Sequence, residues 1–151
     1  MNKQKIRVTK QFTFDMAHAL YGYDGPCKNI HGHTYHLYVT LIGNVINDES
    51  NVKNGMVMDF SQLKAIVKEN IVDHFDHSLV LNIRSPHAKL IDSNLIFDKV
   101  LYTNFQPSCE NLVLDFVKRV KKLLPKKIEL YSLRLVETPT SYAEWCMTDN
   151  I

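Results

Sequence analysis

Three histidines near the start of the sequence have the residue type and the spacing of a catalytic metal site. His31 and His33 are separated by one residue, so in an extended segment their side chains point to the same side. His18 ends an earlier segment of alternating apolar residues and could add a third imidazole nitrogen from a neighbouring strand. Three nitrogen ligands with one open position suit catalytic zinc, and neutral imidazole favours zinc among the common metals. We therefore predict a Zn2+ site at these histidines.

The alternative interpretation is that each imidazole lies at the edge of the core and bonds a backbone carbonyl. That role is common for a single histidine. Three histidines that end two apolar faces are harder to explain in this way, because burying three imidazoles without a shared partner is costly. Gly32, between His31 and His33, also allows a close approach of the backbone.

Cys27 lies four residues before His31, in a loop that contains Gly22, Gly25 and Pro26. A cysteine at this distance can act as a fourth metal ligand or as a thiolate base or nucleophile beside the metal. It can also be an inert, packed thiol, and the spacing leaves these roles open. For Cys109 and Cys146, packing is the better interpretation.

Asp76 and His77 form a pair suited to proton transfer. A carboxylate beside an imidazole can orient the ring and make it a proton shuttle near neutral pH. The same dipeptide occurs at Asp73 and His74, so one of the two pairs is expected to be a solvated helix end.

Two glutamates are further candidates. Glu137 ends an apolar strand face, where a carboxylate either caps loop amides or accepts paired N–H donors of a ligand. Glu110 falls in the first turn of a predicted helix, where an acid is favoured by the helix dipole whatever its function.

The composition indicates one globular domain over residues 1–151. The formal net charge of +2 is too small to favour nucleic acid as a partner, and no apolar run is long enough to cross a membrane. The polar start lacks the apolar segment of a secretory signal, and three widely spaced cysteines argue against a disulfide framework. We expect a cytoplasmic protein.

The periodicity predicts the elements that position these residues. Alternation predicts strands over 5–18 and 31–42, and a polar loop leads from the second strand to a short strand at 56–58. Helical spacing predicts one helix capped by Asp59 or Ser61 and a second that begins at Ser108 and stops at Pro125. Further strands are predicted over 128–137 and 142–147. This order indicates an α+β domain, an antiparallel sheet with the helices on one face. Residues 84–105 are predicted as a β-hairpin, with Leu95-Ile96-Phe97 and Val100-Leu101-Tyr102 as its arms, or as a long loop.

Several motifs occur together in order over nearly the whole chain. They are Phe12-x-Phe14-x-x-Ala17-His18, Cys27-x-x-x-His31-Gly32-His33-x-Tyr35, Gly55-Met56-Val57-Met58-Asp59-Phe60, Asp76-His77-x-Leu79, Asn82, Pro107-Ser108-x-Glu110-Asn111 and Glu137-Thr138. This set resembles the 6-pyruvoyltetrahydropterin synthase / 6-carboxytetrahydropterin synthase family. The resemblance implies a tunnelling fold (T-fold), with four-stranded antiparallel sheets and two helices each, assembled into a barrel as a homohexamer of two trimers. It also implies 7,8-dihydroneopterin triphosphate as the substrate.

The resemblance assigns a role to each candidate residue. The residues that match the family's functional positions are the zinc ligands His18, His31 and His33, the catalytic Cys27, the proton-relay pair Asp76 and His77, the pterin-anchoring Glu137, and Glu110 at the substrate site. Ser108 stands where threonine is common in the family. The stretch from Asn82 to Pro107 is longer than in compact members, so the resemblance implies that residues 84–105 are an insertion.

The family has two activities, and the sequence favours one of them. One branch eliminates triphosphate to give 6-pyruvoyltetrahydropterin, whereas the other releases acetaldehyde and triphosphate to give 6-carboxytetrahydropterin for deazapurine synthesis of the queuosine type. The short spacing from Cys27 to His31 is more similar to the second branch, so we expect the carboxy product. The main alternative outside catalysis is a binding module with a structural zinc, closed by Cys27 as the fourth ligand.

Overall fold

The computed structural model describes residues 4–91 and 97–151, and these residues form one six-stranded sheet with helices packed against it. The strands are β1 (Lys5–His18), β2 (His31–Asn44), β3 (Ser78–Asn82), β4 (Val100–Thr103), β5 (Glu129–Thr138) and β6 (Ser141–Cys146). The α-helices are α1 (Phe60–Val67), α2 (Asp73–Phe75), α3 (Pro86–Ile91) and α4 (Cys109–Leu123), with a π-helical turn (Lys68–Val72) that joins α1 to α2. Within the described ranges, none of these helices is long and apolar enough to span a membrane.

The predicted antiparallel sheet of four strands is confirmed. The strand order is β4-β3-β1-β2-β5-β6, and the pairs β1–β2, β2–β5 and β5–β6 are all antiparallel. Two short strands extend the sheet beyond β1, because β3 pairs with β1 and β4 pairs with β3, both in parallel. The sheet as a whole is therefore mixed, and the class is α+β as predicted.

Alternation along β1 and β2 builds one buried face. Phe14, Met16 and His18 are buried on β1, and Tyr35 and Leu37 are buried on β2. The register pairs His18 with His31 and Met16 with His33, so the core face of both strands ends in imidazoles at the same edge. The sequence pattern thus determines the position of the histidine cluster.

Both main helices begin at capping residues. The Asp59 side chain accepts from the N–H of Ser61 at 2.8 Å, which makes Asp59 the cap of α1, one of the two predicted choices. Ser108 caps α4 by accepting from the N–H of Asn111, and the chain leaves the helix before Pro125. The carbonyl of the residue before this cap, Pro107, points toward the histidines.

One strand prediction is wrong. Residues 56–58 lie in an irregular segment with a bend at 57–58 rather than in a strand. Gly55 has a φ of 86°, and two hydrogen bonds to Ile46 close the segment as a loop. Val57 and Met58 are nevertheless buried, so the apolar run reflects core contact without strand pairing.

The stretch 84–105 contains more structure than a hairpin or a loop. Helix α3 occupies its first part, and β4 pairs with β3. Phe97 lies outside any strand, and Leu95 and Ile96, the rest of the predicted hairpin arm, lie outside the described residues. β3 and β4 are parallel, and the long stretch between them provides the crossover connection that parallel strands require.

The centre of the core gives a stability prediction. Phe116 of α4 is fully buried, and its ring lies edge-on to Phe75 at 5.0 Å and to Phe14 at 6.2 Å between centroids. We expect Phe116→Ala to lower the free energy of unfolding by about 3–5 kcal/mol, because it leaves a cavity among these rings. Leu114→Ala, on the exposed side of the same helix, should cost less than about 1 kcal/mol. Equal losses in chemical denaturation would contradict this assignment of the core.

Candidate metal centre and active site

The three predicted histidines converge at one end of the β1–β2 pair. Ring centroids are 4.7 Å apart for His18 and His31, 4.9 Å for His31 and His33, and 5.4 Å for His18 and His33. One ligand nitrogen from each ring lies within 4.8 Å of the others. His18 is paired with His31 in the register of β1 and β2, and His33 lies two positions further along β2. The alternation of the sequence predicts this arrangement.

Two backbone carbonyls set the tautomers of the cluster. His18 Nδ1 lies 2.7 Å from the carbonyl of Pro107, and His31 Nδ1 lies 2.7 Å from the carbonyl of Asn29. A carbonyl only accepts, so both Nδ1 atoms carry a proton, and in the neutral ring each Nε2 atom carries a lone pair. These two Nε2 atoms face each other at 3.1 Å. Two lone pairs at this distance repel unless a cation lies between them, and carbonyl-oriented imidazoles are typical of metal ligands.

The third nitrogen supports the same interpretation. His33 Nε2 is buried and has no hydrogen-bond partner among the described residues. Burial lowers the pKa values of both His18 and His33, which keeps their nitrogens unprotonated and available for coordination. In a tetrahedral site with zinc–ligand distances of about 2.0 Å, the ligand atoms are about 3.3 Å apart, close to the His18–His31 separation. The residues present therefore fit a zinc ion held by three nitrogens.

Glu137 lies beside the cluster, where the end of β5 places it. Its Oε2 is 4.0 Å from His18 Nε2, and its Oε1 is 4.0 Å from His33 Nε2. The Tyr35 hydroxyl donates to Oε2 at 3.2 Å. Among the described residues, this carboxylate accepts from a buried phenol and not from a loop amide, which favours the second predicted role, that of holding a ligand.

Cys27, Glu110 and Glu137 line one cavity together with His18. The cavity has a volume of about 290 Å³ and opens between the 3-10 turn that carries Cys27 and the first turn of α4 that carries Glu110. The N–H of Leu20 donates to the carbonyl of Cys27 at 2.9 Å and holds this turn against β1. Among the described residues, the cluster of ligand atoms within 4.8 Å comprises the imidazoles and not the Cys27 thiol. This geometry favours an open three-ligand site over one closed by Cys27.

Asp76 and His77 form the predicted pair but lie away from this cavity. His77 Nδ1 is 2.9 Å from Asp76 Oδ2, and the N–H of Asp15 donates to Asp76 Oδ1 at 2.9 Å. Although burial alone would raise it, the pKa of Asp76 is lowered overall because the Asp15 N–H and the His77 ring stabilise the carboxylate. His77 lines a second cavity with Asp15, Thr34 and His33, so this cavity reaches one of the predicted metal ligands. One ligand atom each of Asp15, Asp76 and His77 lies within 4.8 Å of the others, and the parity of Asp15 is opposite to that of His18.

The local backbone supports the choice of Asp76 and His77 over Asp73 and His74. His77 has a φ of 56°, the one positive φ of a non-glycine residue in the ranges described, and its N–H donates to the carbonyl of Asp15 at 2.7 Å. Such strain persists where the surrounding structure enforces it, and it is common at functional sites. Asp73 instead pairs with Lys68 at the helix end, as expected for a solvated pair.

Tyr35 is the residue of this site to which the sequence analysis gave no role. It occupies a core position of β2, two residues after His33, and is fully buried. A signal was present, because a tyrosine at a core position requires a partner for its hydroxyl. The partner, Glu137, lies 102 positions further along the chain, so local patterns could not reveal it.

The cysteines give a prediction about reactivity. Burial raises the pKa of the Cys109 thiol to about 12, and its Sγ donates to the carbonyl of Leu135. At pH 8 only about one in ten thousand of these thiols is ionised, so iodoacetamide should leave Cys109 unlabelled until the pH approaches 12. Cys27 should be labelled in the zinc-loaded protein, as should the partly exposed Cys146, whose thiol pKa is lowered by the Thr148 hydroxyl.

Mass spectrometry of peptides from the labelled protein separates the three sites. Cys146 is the internal positive control, because it lies away from the histidines on β6. If zinc protects Cys27 from iodoacetamide and chelation of the zinc ends that protection, the open site is contradicted. That result would favour a structural zinc with Cys27 as its fourth ligand.

Comparisons with known proteins agree with this geometry. The family model for 6-pyruvoyl tetrahydropterin synthase matches residues 7–146. A 6-carboxy-5,6,7,8-tetrahydropterin synthase of Haemophilus influenzae is 38% identical over 142 residues, which cover 93% of this chain and 98% of that protein.

Solved structures have the same fold. A protein of Wolinella succinogenes superposes with a TM-score of 0.77 at 17% identity, covering 95% of this chain and 98% of that one. The 6-pyruvoyl tetrahydropterin synthase of Caenorhabditis elegans gives a TM-score of 0.67 at 24% identity, covering 97% and 98%. The fold is therefore the T-fold implied by the sequence motifs, and the chain belongs to the 6-pyruvoyl tetrahydropterin synthase family.

Proposed function

We propose that the protein is a zinc-dependent 6-carboxy-5,6,7,8-tetrahydropterin synthase. Its reaction would convert 7,8-dihydroneopterin triphosphate to 6-carboxytetrahydropterin, acetaldehyde and triphosphate. The observation that carries the proposal is the convergence of three imidazole nitrogens beside a cavity lined by Cys27 and Glu137. The name of the Haemophilus influenzae relative supports the choice of reaction.

The metal site would be formed by His18, His31 and His33. A zinc ion bound there would supply a Lewis acid that polarises the hydroxyl oxygens of the substrate side chain and acidifies the neighbouring bonds. The carbonyls of Pro107 and Asn29 orient two of the ligands, so the chain holds the imidazoles in position before substrate binds.

Cys27 and Glu137 would act on the substrate from within the same cavity. As a thiolate, Cys27 would remove a proton from the side chain of the substrate. Glu137 would accept hydrogen bonds from the amino group and the ring N–H of the pterin, a pairing that a carboxylate makes with both oxygens. Glu110, in the first turn of α4, would contact the substrate at the other wall of the cavity.

Asp76 and His77 would complete the site as a proton relay in an assembly. In one chain this pair lines a different cavity from Cys27, so it would reach the substrate from a second chain. This arrangement agrees with the homohexamer that the family resemblance implies. The exposed ring of His77, three-quarters of which is accessible to solvent, is free to make such a contact.

A product assay tests the proposal. The zinc-loaded protein is incubated with 7,8-dihydroneopterin triphosphate, and the products are identified by mass spectrometry. We expect acetaldehyde and 6-carboxytetrahydropterin. The absence of turnover by a zinc-loaded protein would overturn the proposal and revive the binding module.

The second candidate function is 6-pyruvoyltetrahydropterin synthase. The description of the matching family model and the Caenorhabditis elegans structure favour it. It would use the same zinc ligands and the same cavity and would eliminate triphosphate without release of acetaldehyde. Detection of 6-pyruvoyltetrahydropterin in the product assay would assign the protein to this branch.

A further inference from the structure

We propose that Tyr35 is a positioning residue that holds the Glu137 carboxylate toward the substrate cavity and outside the coordination sphere of the metal. The inference rests on the proposed function, in which Glu137 binds the pterin. It assigns to Tyr35 a role beyond packing, namely that its hydroxyl keeps the fourth metal position open.

The ring of Tyr35 is fixed by its neighbours. It is fully buried and stacks on Phe14 with centroids 5.3 Å apart and planes 13° from parallel. The rings of His33 and His18 lie edge-on to it at 5.6 and 6.3 Å. A ring held on several sides gives its hydroxyl one direction, and that direction is toward Glu137 Oε2.

The hydroxyl bonds the carboxylate directly. Tyr35 donates its O–H to Glu137 Oε2 at 3.2 Å, since a phenol is a donor and a carboxylate oxygen is an acceptor. A neutral phenol beside a carboxylate donates a charge-assisted hydrogen bond, which is stronger than a neutral one.

Glu137 is close enough to the metal site to need such a restraint. Its two oxygens lie 4.0 Å from His18 Nε2 and from His33 Nε2. Neighbouring ligand atoms of a tetrahedral zinc are about 3.3 Å apart, so the carboxylate lies near two of the three ligand nitrogens but outside the group of atoms within 4.8 Å of one another. Carboxylates are good zinc ligands. Without the bond from Tyr35, a small rotation of the Glu137 side chain would close the open position and remove the pterin acceptor from the cavity.

The variant Tyr35→Phe removes the hydroxyl and keeps the ring that stacks on Phe14. The matched control is Tyr38→Phe, which removes a phenol from the same strand on the opposite face of the sheet. Two quantities are measured for each protein. One is the affinity for neopterin, an unphosphorylated pterin, by fluorescence titration. The other is the visible absorption spectrum of the protein loaded with Co2+ in place of zinc, which reports the ligands of the metal.

We expect Tyr35→Phe to bind neopterin at least about tenfold more weakly and to change the cobalt spectrum, because Glu137 becomes a ligand. Tyr38→Phe should match the wild type in both measurements. In Tyr35→Phe/Glu137→Ala the change of spectrum should disappear, since the carboxylate is gone. A change of spectrum that persists in this double variant would show a general disturbance of the core and would overturn the inference.

Glu137→Ala alone provides a test that does not depend on the folding of Tyr35→Phe. If Tyr35 keeps the carboxylate off the metal, the cobalt spectrum of Glu137→Ala equals that of the wild type; a different spectrum would overturn the inference. A failure of the proposed function and a failure of the role of Tyr35 give different results. A wild-type protein that does not bind neopterin contradicts the proposed function, whereas a wild-type protein that binds it as tightly as Tyr35→Phe contradicts the role of Tyr35.

Discussion

The variant His31→Ala should lose its zinc and its turnover together. His31 supplies one of three nitrogens, and its Nε2 faces that of His18 at 3.1 Å, so no other side chain of the cluster can take its place. Loss of residues that merely orient metal ligands costs about 10–100-fold in affinity or activity, and loss of a direct ligand should exceed that range. We expect activity to fall by more than about 100-fold, with zinc content near zero by elemental analysis.

His36→Ala is the matched control for this variant. His36 lies on the same strand but on the opposite parity, and its Nδ1 lies 3.2 Å from the Thr13 hydroxyl. Replacing it should change the free energy of unfolding by about 0.5 kcal/mol or less and leave zinc content unchanged. An active, zinc-free His31→Ala protein would refute the metal-dependent mechanism and favour a zinc-independent activity on the same fold.

The histidine cluster was predictable because local information suffices for it. Alternation along β1 and β2 fixes which side chains share a face, and the antiparallel pairing of two strands that follow each other in the sequence places the ends of that face together. His18 and His31 are therefore partners in the register. The caps at Asp59 and Ser108 were equally local, since each bonds a residue two or three positions away.

The rest of the architecture depends on contacts between distant segments. Strands β3 and β4 are four or five residues long and gain their place by parallel pairing across long connections. A short apolar run does not show which distant strand it will pair with. Residues 56–58 show the reverse case: the sequence predicts a strand there because a buried segment outside the sheet can have the same apolar pattern. The bond from Tyr35 to Glu137 is of the same kind, a contact formed only after the sheet assembles.

The position of His77 illustrates a further limit of the sequence pattern. The dipeptide Asp76-His77 predicts a hydrogen-bonded pair, and the structure contains one at 2.9 Å. The face of the sheet that the pair occupies is set by a positive φ at His77 and by the backbone of Asp15. In one chain the pair therefore lines a different cavity from Cys27 and Glu137, which the dipeptide alone could not reveal.

Mixing two inactive variants should restore activity if the site is shared between chains. Cys27→Ala and His77→Ala should each lower activity by more than about 100-fold, since each removes a group that moves a proton. When equal amounts of the two variants assemble at random, half of the sites contain an intact Cys27. Half of those sites receive an intact His77 from the neighbouring chain. We expect about one quarter of the wild-type specific activity after co-refolding.

The control mixture pairs Cys27→Ala with His31→Ala. Cys27 lines the same cavity as His18, and His18 is the register partner of His31. Cys27 and His31 of one site therefore come from the same chain. Each site in this mixture lacks either Cys27 or His31. The mixture should stay inactive although it assembles equally well. If the Cys27→Ala and His77→Ala mixture is equally inactive, His77 does not act across chains. The relay role for His77 would then be refuted, because within one chain His77 and Cys27 line different cavities.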